Sequence, residues 1–173
     1  TQSIRGGIPV LFPICGNLPG DRLPLKSGEA ILKQHGFARG LPWQLELLDD
    51  QSGVRLCLTD TDETLAHYPF RFRLQMAVRP VSGALEITTT IANANEGGES
   101  MPFSFGLHPY FNVTDLSRTS LEGLAPQCLN HLVMAEAETA GQLSRLPKGV
   151  DFLARPAGPV TLVDEAMGSR LQL

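Results

Sequence analysis

Phe70-Arg71-Phe72-Arg73-Leu74-Gln75-Met76-Ala77-Val78 sets large apolar residues on even positions and mostly polar ones on odd positions. Successive side chains of an extended chain point to opposite faces, so a period of two predicts a strand with one face buried. The pattern recurs in Val54-Arg55-Leu56-Cys57-Leu58-Thr59 and, more briefly, in Trp43-Gln44-Leu45-Glu46-Leu47. It returns in Leu85-Glu86-Ile87-Thr88-Thr89-Thr90-Ile91, where β-branched residues favour a pleated surface. Pro159 to Val163 and Ser169 to Leu173 read as a hairpin around Asp164 to Gly168. Turn residues separate these runs at Asp49 to Gly53, Arg79 to Gly83 and Asn93 to Gly98. The 17 glycines and 13 prolines fit many turns and few long helices. Only Val133 to Leu143 has a helical composition. Short alternating strands at regular spacing predict an all-β antiparallel sandwich, with residues 1–173 belonging to one domain.

Bulk properties narrow the function classes. With 42% hydrophobic and 18% charged residues, the chain has enough apolar material for a core. A net charge of -4 and a pI near 5.5 give no general basic face, so nucleic acid is not an expected partner. No apolar run approaches the roughly 20 residues of a membrane helix, so no membrane partner is expected either. Cys15, Cys57 and Cys128 are far apart and odd in number, without a CxxC pair. They predict free, packed thiols in a reducing cytoplasm, not disulfides or a zinc site. Thr1-Gln2-Ser3-Ile4-Arg5 is not a signal peptide and leads at once into a structured-looking motif, and Leu173 interrupts an alternating run. Both ends are therefore expected to be cut from a longer chain.

Four places could carry chemistry. In Ile4-Arg5-Gly6-Gly7-Ile8-Pro9, a glycine pair permits close backbone approach, and Arg5 offers a planar fork of donors for phosphate or sugar oxygens. A solvated arginine beside a turn is the plain alternative. Lys33-Gln34-His35-Gly36-Phe37-Ala38-Arg39 surrounds a histidine with two cations, which disfavour its protonation. A neutral His35 could donate to an ether oxygen, although a lone histidine is more often structural. Pro102 to Phe111 puts Phe103, Phe105 and Leu107 on one face and Ser104, Gly106, His108 and Tyr110 on the other. His108 is thus expected beside small residues that leave room for a ligand, its backbone held extended by Pro109. Asp151 is either a functional carboxylate or a turn residue capping local backbone. His67 and His131 have no chemical company in their segments.

Taken together, IRGGIPVLFPICG (4–16), QHGFARGLPW (34–43), YPFRFRL (68–74), SFGLHPYF (104–111) and GVD (149–151) resemble the galactose mutarotase-like superfamily. The resemblance is to its glucose-6-phosphate 1-epimerase branch, in the family's order and over most of the chain. It implies a large antiparallel sandwich that holds a sugar or sugar phosphate in a groove. There, a carboxylate takes the O1 proton while a histidine protonates the ring oxygen, and the opened aldehyde rotates and recloses.

By motif match, His108 is implied as the general acid and His35 as the second histidine near the ring oxygen. Asp151 is implied to grip sugar hydroxyls, and Arg5, Arg39 and Lys33 to meet a 6-phosphate. Proton transfer by side chains needs no cofactor or metal. The family's base is a glutamate well downstream of GVD. Beyond Asp151 this chain has only Glu165, in the expected hairpin turn. The base is expected to be missing and the chain by itself inactive. Free aldoses are the second substrate reading, and a non-catalytic carbohydrate-binding module on the same fold is the competing class. Two retained histidines favour the enzyme, because binding alone needs no proton donor at the ring oxygen.

Overall fold

The computed structural model describes residues 6–26 and 28–173. The chain divides into two compact units, one ending at Tyr110 and the other running from Phe111 to Leu173. The first holds β1 (Val10–Leu11), β2 (Arg22–Leu25), β3 (Gly28–Ile31), β4 (Gln44–Leu47) and β5 (Val54–Thr59). A short helix α1 (Asp62–His67) follows, then β6 (Phe72–Val81), β7 (Ala84–Asn93) and β8 (Gly106–Leu107). The second holds β9 (Thr119–Asn130), β10 (Ala135–Glu138), helix α2 (Thr139–Leu143), β11 (Phe152–Asp164) and β12 (Ser169–Gln172). All named strand pairs are antiparallel. The all-β reading of the sequence holds.

In the first unit β4, β5, β6 and β7 form one sheet in sequence order. The alternation in β6 does what its period predicts: Phe72, Leu74 and Met76 are buried, while Arg73 is exposed. Phe72 and Leu74 join Phe12, Ile14, Leu32, Ala38, Leu58, Tyr68 and Phe70 in one cluster. Each such large apolar side chain contributes about 1.5–3 kcal/mol when fully buried. Phe12 is the hub, with ring centroids 5.0 Å from Phe72, 6.2 Å from Phe37 and 6.3 Å from Tyr68. The same sheet face is open further along, where Leu45, Leu47 and Leu85 are more than half exposed.

Tyr68 is fully buried, and burial raises its hydroxyl pKa well above the ordinary phenolic value. That hydroxyl donates to the Pro102 carbonyl at 2.8 Å. Tyr68→Phe keeps the ring and leaves the carbonyl without this donor. It is expected to lower stability by about 1–3 kcal/mol, seen as a lower urea midpoint at unchanged slope.

In the second unit the sheet order is β10-β9-β11-β12. The expected terminal hairpin is present, with Asp164 opposite Ser169 and Thr161 opposite Gln172. Asp164 builds its turn. Its carboxylate accepts from the backbone N–H of Thr114 (2.8 Å), Ala166 (3.0 Å) and Met167 (3.1 Å). The Thr114 bond leads in holding its pKa below the usual carboxylate value. Opposite a register shift in β11, Gly123 takes φ +83° and passes so close to the Pro159 carbonyl that no Cβ would fit.

Four sequence expectations need correction. Ala135 to Glu138 is strand, not helix, because it pairs with Gln127 to Asn130 of β9. Only Thr139–Leu143 of that stretch is helical, so tertiary pairing overrides propensity. Helix α1 was not legible, since its single turn shows no period. Its start is a capping box made by two threonines: Thr61 Oγ accepts from the Thr64 N–H, and the Thr61 N–H donates to Thr64 Oγ. The turn expected from Arg79 narrows to Ser82-Gly83, because β6 continues through Pro80 to Val81. The register of β5 ends at Val54 opposite Val78, so Pro80 has a strand on one side only. Finally, Cys15 is exposed, whereas Cys57 is half-buried and Cys128 buried.

Candidate functional site

Three sequence motifs meet through backbone bonds in the first unit. Val10 and Leu11 pair with Leu107 and Gly106. The same alignment extends past these short strands. The N–H of His108 donates to Pro9 O, that of Tyr110 to Gly7 O and that of Ser104 to Pro13 O, each at 2.9 Å. The even positions of 104–110 thus share one orientation, as their alternation predicts. The odd positions are less buried than predicted: Phe105 packs against the core cluster, but Phe103 and Leu107 are 47% and 36% exposed. The named strand here is only two residues long, and Phe103 lies before it with its ring centroid 6.0 Å from that of Phe12.

The second motif docks on the first at Phe12. Its carbonyl accepts from the N–H of Phe37 (3.0 Å) and of Ala38 (3.2 Å). Gly36 crosses directly above at φ +67°, and a Cβ there would fall inside the van der Waals shell of that carbonyl. Just before it, His35 also takes a positive φ, 66°. Histidine tolerates this region better than bulky or β-branched residues do.

Two bonds with Gly16 lock His35. Its backbone N–H donates to Gly16 O, and its ring Nδ1 accepts from the Gly16 N–H, both at 2.9 Å. A ring that accepts at Nδ1 carries its proton on Nε2 when neutral. Partial burial first, then the charges of Arg39 and His108, lower the His35 pKa from its ordinary value. The expectation of a neutral His35 with a donor to offer therefore has a structural basis, although desolvation leads and the cation comes second.

His108 is near two other rings. Its centroid is 6.2 Å from that of His35 and 5.1 Å from that of Tyr110. His108 and Tyr110 are exposed, His35 half-buried. Cys15 lies beside the small residues of this stretch. Ser104 Oγ accepts from the Cys15 N–H at 2.8 Å, and a Cβ on Gly106 would sit 2.9 Å from Cys15 Sγ. Those small side chains admit the 13–16 segment, and Ser104 remains exposed.

The cations are placed unequally. Arg39 is exposed in the 3-10 turn Ala38–Gly40, tethered by one donor to the Gln34 carbonyl at 3.1 Å. Lys33 is paired with Asp21 at 2.6 Å on an open surface. Arg5 lies outside the described residues.

Asp151 belongs to the second unit and precedes β11. Its carbonyl accepts from the His131 N–H at 3.0 Å, and its Oδ1 lies 3.1 Å from His131 Nδ1. Sequence reasoning set His131 aside as a histidine without company. Only the register of β9 with β11, Asn130 opposite Phe152, brings the two together across 20 residues. No local signal in either segment announces it.

Comparisons with known proteins bear on the family and the fold. The aldose 1-epimerase family model matches residues 3–145. A protein of Cenchrus ciliaris described as "Putative glucose-6-phosphate 1-epimerase" is 35% identical over 135 residues, covering 71% of this chain and 37% of the relative. One of Escherichia coli with the same description is 36% identical over 131 residues, covering 74% and 39%. The chain thus spans well under half the length of these curated relatives. Among solved structures, the Slr1438 protein of Synechocystis aligns at TM-score 0.85 and 35% identity, covering 96% of this chain and 58% of that one. A galactose mutarotase-like protein of Lactobacillus casei aligns at TM-score 0.65 and 25% identity, covering 90% and 56%. With the motifs in family order, the expected all-β sandwich class and a family match over most of its length, the chain belongs to the aldose 1-epimerase family.

Proposed function

We propose that this chain carries the acid side of an isomerase that interconverts the α and β anomers of a hexose 6-phosphate. The observation that carries the reading is the imidazole pair. The Gly16 N–H bonded to Nδ1 fixes the His35 ring and leaves the neutral form's proton on Nε2, and the exposed His108 ring has its centroid 6.2 Å away. In this reading His108 gives a proton to the ring oxygen as the C1–O5 bond breaks. Imidazole suits the step because its ordinary titration range brackets neutrality. His35 donates to the same region and orients the sugar without itself changing charge. Asp151 accepts from sugar hydroxyls. The base at O1 is assigned to a carboxylate outside these 173 residues, as Glu165 sits exposed in the turn between β11 and β12.

Arg39, with Arg5 and Lys33 as further cations, is the proposed phosphate contact. Arg39 retains free donors in a planar fork, which suits a phosphate dianion. Lys33 would first have to leave Asp21. Arg39→Ala is expected to weaken glucose 6-phosphate binding about tenfold or more, the usual scale for a charge-assisted hydrogen bond, and to leave glucose binding unchanged. Dissociation constants for both sugars, by calorimetry or NMR titration, check this. Equal affinities that respond alike to the substitution would replace the phosphate reading with free aldoses.

A further inference from the structure

We infer that His131 is the positioning residue for Asp151, holding its carboxylate in the orientation that receives a sugar hydroxyl. The inference rests on the reading of Asp151 as a sugar-hydroxyl acceptor. His131 grips Asp151 at two points, main chain to main chain at 3.0 Å and ring Nδ1 to carboxylate Oδ1 at 3.1 Å.

The two bonds do different things. The backbone bond continues the alignment of β9 with β11 one residue past Asn130 opposite Phe152, so it persists whatever side chain stands at 131. The ring bond fixes the torsion of the Asp151 side chain. Among the described residues Asp151 makes no other side-chain hydrogen bond, and its side chain is 63% exposed. Without the ring, the carboxylate is free to rotate and must be ordered by the sugar at an entropic cost. With the ring, Oδ1 is engaged and Oδ2 remains open to accept. An ionised carboxylate only accepts, so the ring presents Nδ1–H to it. The imidazole is 40% exposed and its own loop is anchored, since Asn130 Oδ1 accepts from the Leu132 N–H at 2.9 Å.

The test is a set of substitutions read by glucose 6-phosphate titration of the purified chain. His131→Leu is expected to weaken binding about fivefold, the scale of re-ordering one freed side chain on binding. His131→Asn should restore affinity to within about twofold, because its Nδ2 stands where the ring Nδ1 stood. His131→Gln, whose amide reaches further, should not. Thermal midpoints should be alike across the set, since the backbone bond is untouched. In the free protein, imidazole ¹⁵N spectra should show His131 protonated on Nδ1, a preference lost in Asp151→Ala. If Asp151→Ala weakens binding while His131→Leu binds like wild type, the positioning role is overturned and the role of Asp151 stands. If Asp151→Ala binds like wild type, the sugar-gripping role falls and the inference with it. Equal loss in the Leu and Asn variants, with lowered midpoints, would reduce His131 to a structural residue. A neutral ring protonated on Nε2 would overturn the inference before any sugar is added.

Discussion

Replacing His108 by asparagine is expected to slow anomer exchange by about 10²- to 10⁴-fold, the usual contribution of a general acid, with sugar affinity changed less than about threefold. The substitution removes the transferable proton and little else. The backbone bond from residue 108 to Pro9 O does not depend on the side chain, and Pro109 keeps that backbone extended. His35 stays locked on Gly16 at the same position. It is a poor substitute acid. Its Nδ1 is already accepting, and partial burial with nearby Arg39 disfavours its protonated form. The measurement is NMR exchange between the α and β signals of glucose 6-phosphate, in a form of the protein that also carries the family's base. A loss smaller than about threefold would pass the acid role to another group, His35 first.

Gly36→Ala should have the largest effect on the fold, a loss of about 2–5 kcal/mol. Two penalties combine at one atom. An L-residue held at φ +67° costs about 1–2 kcal/mol, and forcing a methyl group into a packed site typically costs 1–3 kcal/mol more. The methyl would meet main chain, the Phe12 carbonyl, which cannot turn aside like a flexible side chain. Relief requires the 34–38 segment to lift off Phe12, giving up the Phe37 and Ala38 bonds and disturbing the ring cluster around Phe12. His35, one residue before, would move with it. Denaturant titration should show the lowered midpoint, and the ¹⁵N signature of a ring accepting at Nδ1 should weaken. Wild-type stability in this variant would mean that the crossing is looser than the geometry implies.

The strands legible in the sequence were those that alternate apolar with polar residues, including β4 and β12, whose residues are all exposed. In β6 each alternate residue meets either the Phe12 cluster or solvent, so burial itself writes the period of two. In β10, Ala-Glu-Ala-Glu alternates over only four residues, with just Ala137 half-buried, and alanine and glutamate both favour a helix, so composition outweighs the short period. Helix α1 escaped notice because its cap uses a threonine at the third position, where a glutamate or glutamine is the familiar sign. The site divided in the same way. His35 and His108 stand in motifs dense with glycine and proline, whose backbone demands mark them locally. His131 stands in an ordinary segment, and its partner is supplied by a register that only the folded chain defines. The role of Cys15 as the group filling the space beside Gly106 was hidden for the same reason.

The way three motifs converge on Phe12 and Gly16 has a consequence for how the site comes into being. Gly16 meets His35 across 19 residues, but Cys15 meets Ser104 across 89. The first closure is local and fast, whereas the second must bring together chain ends separated by the whole β4–β7 sheet. High contact order of this kind slows folding, because loop entropy is lost before the contact rewards it. The bond that anchors the His35 ring closes a short loop of 19 residues, at the smaller entropic cost. The bond that ties Cys15 to Ser104, beside the His108 segment, closes the longer loop and so carries the larger entropic cost of closure.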